Sequence, residues 1–91
     1  MHAVIVSVTI NDEDVATNTL RNEIVPRVKQ APGFVAGYWV RVKKDGGTGG
    51  RGTIVLESEE AAKAVAEQVH QQPGEEVTIE SVDVGEVVES A

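Results

Sequence analysis

Ala31-Pro32-Gly33-Phe34-Val35-Ala36-Gly37-Tyr38-Trp39 ends one element and begins another. Helical spacing stops at Pro-Gly, and a strand follows that holds the chain's one Phe, one Tyr and one Trp within six residues. Side chains alternate along a strand, so the three aromatics cannot share one face. Either both faces are covered or an aromatic is left showing. A chain of 91 residues buries only roughly 60–65% of the surface its unfolded form exposes. The second cover is therefore expected from another copy of the chain.

On the N-terminal side, His2–Ile10 is dense in β-branched residues and reads as a strand, with Val4, Val6, Val8 and Ile10 on one face. Asn11 or Asp12 can cap the helix that follows over Asp14–Gln30, where Ala16, Leu20, Ile24 and Val28 recur every four residues. Pro26 removes a backbone donor, which predicts a kink or break near Asn22–Glu23. On the C-terminal side, Phe34–Lys43 is the second strand, Lys44–Gly50 a Gly-rich turn and Arg51–Glu57 a third strand, giving an antiparallel hairpin. Ser58 caps a second helix with the stripe Ala61, Ala62, Val65, Ala66 and Val69, broken at Gln72-Pro73-Gly74. The last strand lies within Glu75–Ser90. Its apolar phase shifts between Ile79 and Val82, as a β-bulge would shift it, which would let its second half turn away from the sheet.

The order strand-helix-strand-strand-helix-strand is the α+β, ferredoxin-like βαββαβ arrangement. It predicts one domain over residues 1–91, a four-stranded antiparallel sheet with both helices on one face, and the other face bare. By alternation, Ser7, Thr9, Thr53 and Glu57 share that bare face with Ile5, Val35, Trp39, Arg41 and Val55, and Tyr38 lies beneath the helices with Phe34, Ala36 and Val40. The opposite assignment of the second strand makes Tyr38 the aromatic of the pocket instead. A mixed apolar and polar face of this kind is either buried by a partner or lines a small ligand pocket. A buried Arg41 would need an acid such as Glu57, an acid of a partner's tail or an anionic ligand.

The net charge of −7 argues against nucleic acid and against anionic membranes. With no cysteine, disulfides and thiolate chemistry are excluded, which suits a reducing compartment. No export signal or membrane span is legible, and the expected location is cytoplasmic. Residues 75–91 carry six acids and no base, the pattern of an exposed edge or tail. Gly47-Thr48-Gly49-Gly50-Arg51-Gly52 spells G-x-G-x-x-G, but between two strands and not before a helix, so it reads as a hairpin tip. His2 and His70 lack second ligands at metal spacing, and neither a metal nor another cofactor is expected.

The βαββαβ order, Pro32-Gly33-Phe34 and the strand Val35–Val42 resemble the dimeric α/β-barrel superfamily, and within it the small antibiotic-biosynthesis-monooxygenase-like (ABM-like) domains, over about residues 2 to 89. The resemblance implies a homodimer formed through the open sheet face, each C-terminal segment reaching across, and a cavity between sheet and helices. It also implies activities found among members. Some oxidise polycyclic phenols or quinols without metal or flavin, for which Tyr38, Trp39 and Asn11 would be the candidate polar aromatics and amide. Others degrade haem with an Asn, a Trp and a His, but here the second helix has Ala and Val where that Trp would sit. The expected function is binding of a small organic ligand by a homodimer, with Trp39, Tyr38, Arg41, Ser7, Thr9 and Asn11 as pocket candidates. The alternatives are cofactor-independent oxidation of an aromatic or quinol and a non-catalytic protein-interaction module.

Overall fold

The computed structural model describes residues 1–71 and 76–91. Its elements are β1 (His2–Ile10), α1 (Glu13–Thr19), a π-helical turn (Leu20–Ile24), α2 (Val25–Lys29), β2 (Phe34–Lys44), β3 (Gly47–Leu56), α3 (Glu59–His70) and β4 (Val77–Glu86). The four strands form one antiparallel sheet in the order β2-β3-β1-β4. The expected α+β, ferredoxin-like architecture is what the chain adopts. The helix break at Gln72-Pro73-Gly74 and the start of the last strand at Glu75 lie outside the described residues. Among the described residues, no helix is long and apolar enough to cross a membrane.

The first helical segment is one arm in three parts. Pro26 has no N–H, and in a regular α-helix its ring would clash with the carbonyl of Asn22. The arm widens just before it: the Val25 N–H donates to the Leu20 carbonyl, five residues back. That π turn is the form the expected kink takes. Gly33, at φ 81°, then reverses the chain after the arm, a conformation that suits glycine.

Ser58 starts α3 by accepting the Ala61 N–H at 3.1 Å, with Glu59 and Glu60 in the first turn. Ala62, Val65 and Ala66 then meet Val4, Val6, Ile54 and Leu56 of the sheet, and Val28 completes this core. The core is thus concentrated under α3, which packs closely on β1, β3 and β4. The arm makes little close backbone packing with any strand.

Two bulges decide which side chain faces where. On β4, the register with β1 passes from Ser7↔Ser81 to Val8↔Ile79 and skips Glu80. This is the phase shift read in the sequence. The strand's second half nevertheless stays paired to β1, out to His2↔Glu86, and does not leave its sheet. On β2, Phe34 pairs with Leu56 but Ala36 pairs with Val55, so Val35 is the extra residue. That bulge inverts the parity of everything after it.

The parity inversion corrects the face assignment of β2. Phe34 lies on the helix side, against the core, whereas Tyr38, opposite Thr53, lies on the open face and is 68% exposed. Trp39, opposite Gly52, packs against the core on the helix side, and Arg41 shares that side. The glycine-rich stretch is also corrected. Its turn is only Asp45-Gly46, with Gly46 at φ 80°, while Gly47–Gly52 form the first six residues of β3.

Candidate functional site

Because the arm stands off from the sheet, a cavity of about 860 Å³ lies between them. Val6, Val8, Ile10 and Trp39 line it from the sheet, and Leu20, Ile24 and Val28 from the arm. Gly50 and Gly52 face it without side chains, which deepens it along β3.

Glycines also set the pose of Trp39. A methyl group at Gly37 would lie 2.8 Å from Trp39 Cη2, and one at Gly52 would lie 3.1 Å from Cδ1 and 3.2 Å from Nε1. The indole therefore lies along the sheet, its benzo ring over Gly37 and its pyrrole edge over Gly52, while the residue also borders the cavity. An aromatic surface held against backbone is a stacking platform for a flat apolar molecule.

Arg41 follows Trp39 by two positions on the same face. Its Nη2 donates to Thr17 Oγ1 of α1 at 2.8 Å, and its Nε lies 3.7 Å from Glu13 Oε1. The acid beside it is thus Glu13 of the arm and not Glu57 of the hairpin. Arg21 and Arg27 border the cavity from the arm, as do Glu23 and, before β4, Glu76.

The remaining sequence candidates do not join this group. Ser7 pairs with Ser81 and Arg51 across the open face, and Tyr38 lies on that face two strands away. The Thr9 hydroxyl donates to Glu80 Oε1, and Lys44 Nζ meets both Glu80 oxygens at 2.9 and 3.0 Å. Lys44 reaches Glu80 by lying over Gly49, where a methyl group would come within 2.7 Å of its Cε. Asn11, beyond the end of β1, donates through Nδ2 to Thr78 Oγ1 at 3.1 Å. So Trp39 and Arg41 are brought together at the cavity, Ser7, Thr9 and Tyr38 occupy the other face, and Asn11 sits at the sheet margin. His2 lies 3.6 Å from Glu59 and His70 is exposed at the end of α3. Among the described residues no three of His, Asp and Glu gather where a metal could be held.

The hydrogen bond from Thr9, and then that from Lys44, hold the Glu80 carboxyl below the usual carboxylate range. Glu59 is lowered likewise, first by its hydrogen bond from Lys63 at 3.0 Å. A carboxyl whose folded pKa is depressed contributes stability above its unfolded value of about 4.3 and loses it as pH falls through the folded value. Glu59 and Glu80 therefore give no pH dependence of unfolding between pH 6 and 8 and a decline on the acid side. Glu80→Gln is expected to flatten that acid-side decline in urea melts taken from pH 6 to 2.5. An unchanged slope would mean that the Thr9–Glu80–Lys44 cluster does not couple to folding.

Three solved structures share this fold over nearly their whole length. HapK from Hahella chejuensis superposes with a TM-score of 0.70 at 13% identity, covering 100% of this chain and 96% of that one. An ethyl tert-butyl ether D (EthD) family protein from Bacillus halodurans gives 0.63 at 14%, covering 97% and 100%. A candidate antibiotic biosynthesis monooxygenase from Bacillus cereus gives 0.56 at 20%, covering 100% and 94%. The chain has the ABM-like fold. At these identities the likeness is one of fold alone. No protein-family model and no curated protein matches the sequence.

Proposed function

We propose that this chain binds a small, flat, largely apolar organic molecule between sheet and helical arm, with Trp39 as the platform and Arg41 as the polar end of the site. The observation that carries this reading is the indole laid along glycine backbone at the floor of an 860 Å³ cavity. Such a volume suits a ligand of drug-like size. A thermal-shift screen with phenols, quinones and aromatic amides and carboxylates tests it. A ligand present at a hundred times its Kd contributes about 2.7 kcal/mol, which raises the melting temperature by about 10 °C or more at ~4–8 °C per kcal/mol. Ile24→Trp, which fills the cavity from the arm, is expected to erase that response. Stabilisation that survives the filling would place the ligand elsewhere.

The binding unit in this reading is a homodimer closed through the open sheet face, with the C-terminal segment contributing. Ile5, Tyr38 and Val40 leave that face apolar and exposed, and an obligate interface usually buries upward of about 2,000 Å² in total. Since Tyr38 and not Trp39 lies on this face, Tyr38→Glu is the disrupting substitution: two carboxylates would be desolvated at one interface. Sedimentation equilibrium is expected to give a dimer for the natural chain and a monomer for Tyr38→Glu. A natural chain that stays monomeric at micromolar concentration would overturn the dimer.

The name of the Bacillus cereus neighbour raises an oxidative alternative, a cofactor-independent attack on an aromatic or quinol. A quinol must lose a proton before it reduces oxygen, and among the described residues the carboxylates bordering the cavity are Glu23 and Glu76. Binding is the better-supported reading. Oxygen uptake with an anthrone or quinol, lost in Trp39→Ala, would reverse that order.

A further inference from the structure

We propose that the occupant of this cavity is an organic anion, an aromatic or acyl carboxylate, whose acid group is taken by Arg41. The inference rests on the reading of the cavity as a ligand site and adds the chemical class.

It starts from where the charge lies. In a chain of net charge −7, the four arginines all border the cavity and none of the four lysines does. Arg51 belongs to the other side, since its Nη1 bonds the Gly50 carbonyl and its charge acts on Glu80. Arg41 on β2, with Arg21 and Arg27 on the arm, remains. Among the described residues neither Arg21 nor Arg27 has an ion-pair partner. Glu76 lies toward the β4 edge, while Arg41 is on β2 at the other edge of the sheet. Adjacent strands are ~4.8 Å apart, so β2 and β4 are separated by roughly 14 Å. An acid group near Arg41 is therefore well removed from Glu76.

Arg41 is itself arranged to receive an anion. A guanidinium carries five donors in a planar fork that matches a carboxylate. Thr17 takes one of them and fixes the plane, and Glu13 approaches Nε only to 3.7 Å. Trp39 and Arg41, two positions apart on one strand face, are separated by roughly 6.6 Å along the chain. A two-ring system stacked on the indole thus presents a ring substituent to the fork. The Arg41 side chain is 54% exposed, at the mouth of the cavity, so the contact draws on the charge-assisted fork geometry and not on burial.

Calorimetric titration with 2-naphthoate and with its neutral counterpart 2-naphthamide tests this. The carboxylate is expected to bind the natural chain at least tenfold more tightly than the amide. Arg41→Gln should abolish that preference, while continued binding of the amide at millimolar concentration reports an intact cavity. Arg41→Lys should restore only part of the preference, and Glu13→Gln, which removes the competing acid, should enlarge it. Equal binding of the two compounds, or a preference untouched by Arg41→Gln, overturns the anion assignment and leaves the cavity reading standing. Failure of both compounds to bind at millimolar concentration overturns the two together.

Discussion

Leu56→Ala is expected to remove about 3 kcal/mol of folding stability, within the ~2–5 kcal/mol typical of large-to-small changes at fully buried sites. Leu56 is 0% exposed and lies in the core with Val4, Ile54, Ala62 and Val65. A chain of this length has only ~5–14 kcal/mol in total. The midpoint of thermal unfolding should therefore fall by more than about 10 °C, at ~4–8 °C per kcal/mol. The chain's other leucine provides the contrast. Leu20 is half-buried and borders the cavity, so its truncation enlarges an existing space and leaves little new void. Leu20→Ala is expected to lose less than about 1.5 kcal/mol, because only about half of the transfer free energy of the three carbons removed, at ~0.8 kcal/mol each, is gained at a half-buried site. Equal losses at the two leucines, measured by guanidinium melts, would mean that the arm and α3 pack on the sheet alike.

Gly52→Val is expected to cost the site more than it costs the fold. The added Cβ would stand 3.1 Å from Trp39 Cδ1 and 3.2 Å from Nε1, so the indole has to lift off the sheet into the cavity. Overpacking of this sort costs ~1–3 kcal/mol, offset by the ~0.5–1 kcal/mol that replacing a strand glycine returns. Ligand affinity should drop at least thirtyfold, because the displaced ring occupies the space the ligand needs. Gly49→Ala serves as the comparison. Its methyl would meet the Lys44 side chain on the open face, whose flexible end can move. It should loosen the Lys44–Glu80 pair and leave binding unchanged. A Gly52→Val protein that binds as tightly as the natural chain would show that the pose of Trp39 does not matter to the site.

Much of the architecture was legible because local rules and the global fold agree. Val4, Val6, Ile54 and Leu56 alternate as strand residues under a helix should, Ser58 caps α3 as its position suggests, and Pro26 disturbs the arm where it must. The site was less legible, and for identifiable reasons. Alternation in β2 runs unbroken through Val35 in the sequence, yet one extra residue there sends Trp39 to the helices and Tyr38 to the open face. Period-two reading has no term for a bulge that leaves no phase change of its own. The glycines of β3 look like loop punctuation, because their purpose is fixed by neighbours distant in the chain: Trp39 and Val8 on one face, Lys44 on the other. Asp45-Gly46 was the better turn signal, being a two-residue hairpin connection. Pairing of Arg41 with Glu13 and Thr17 depends on how far the arm stands from the sheet, which no local pattern encodes.

Which face of the sheet holds the ligand can be read from intermolecular NOEs between bound 2-naphthamide and the isotope-labelled protein. Contacts are expected from the naphthalene protons to the Trp39 indole and to the methyl groups of Leu20, Ile24 and Val28. Contacts instead to Tyr38, Ile5 and Val40 would place the bound molecule on the opposite face and end the case for the sheet–arm cavity.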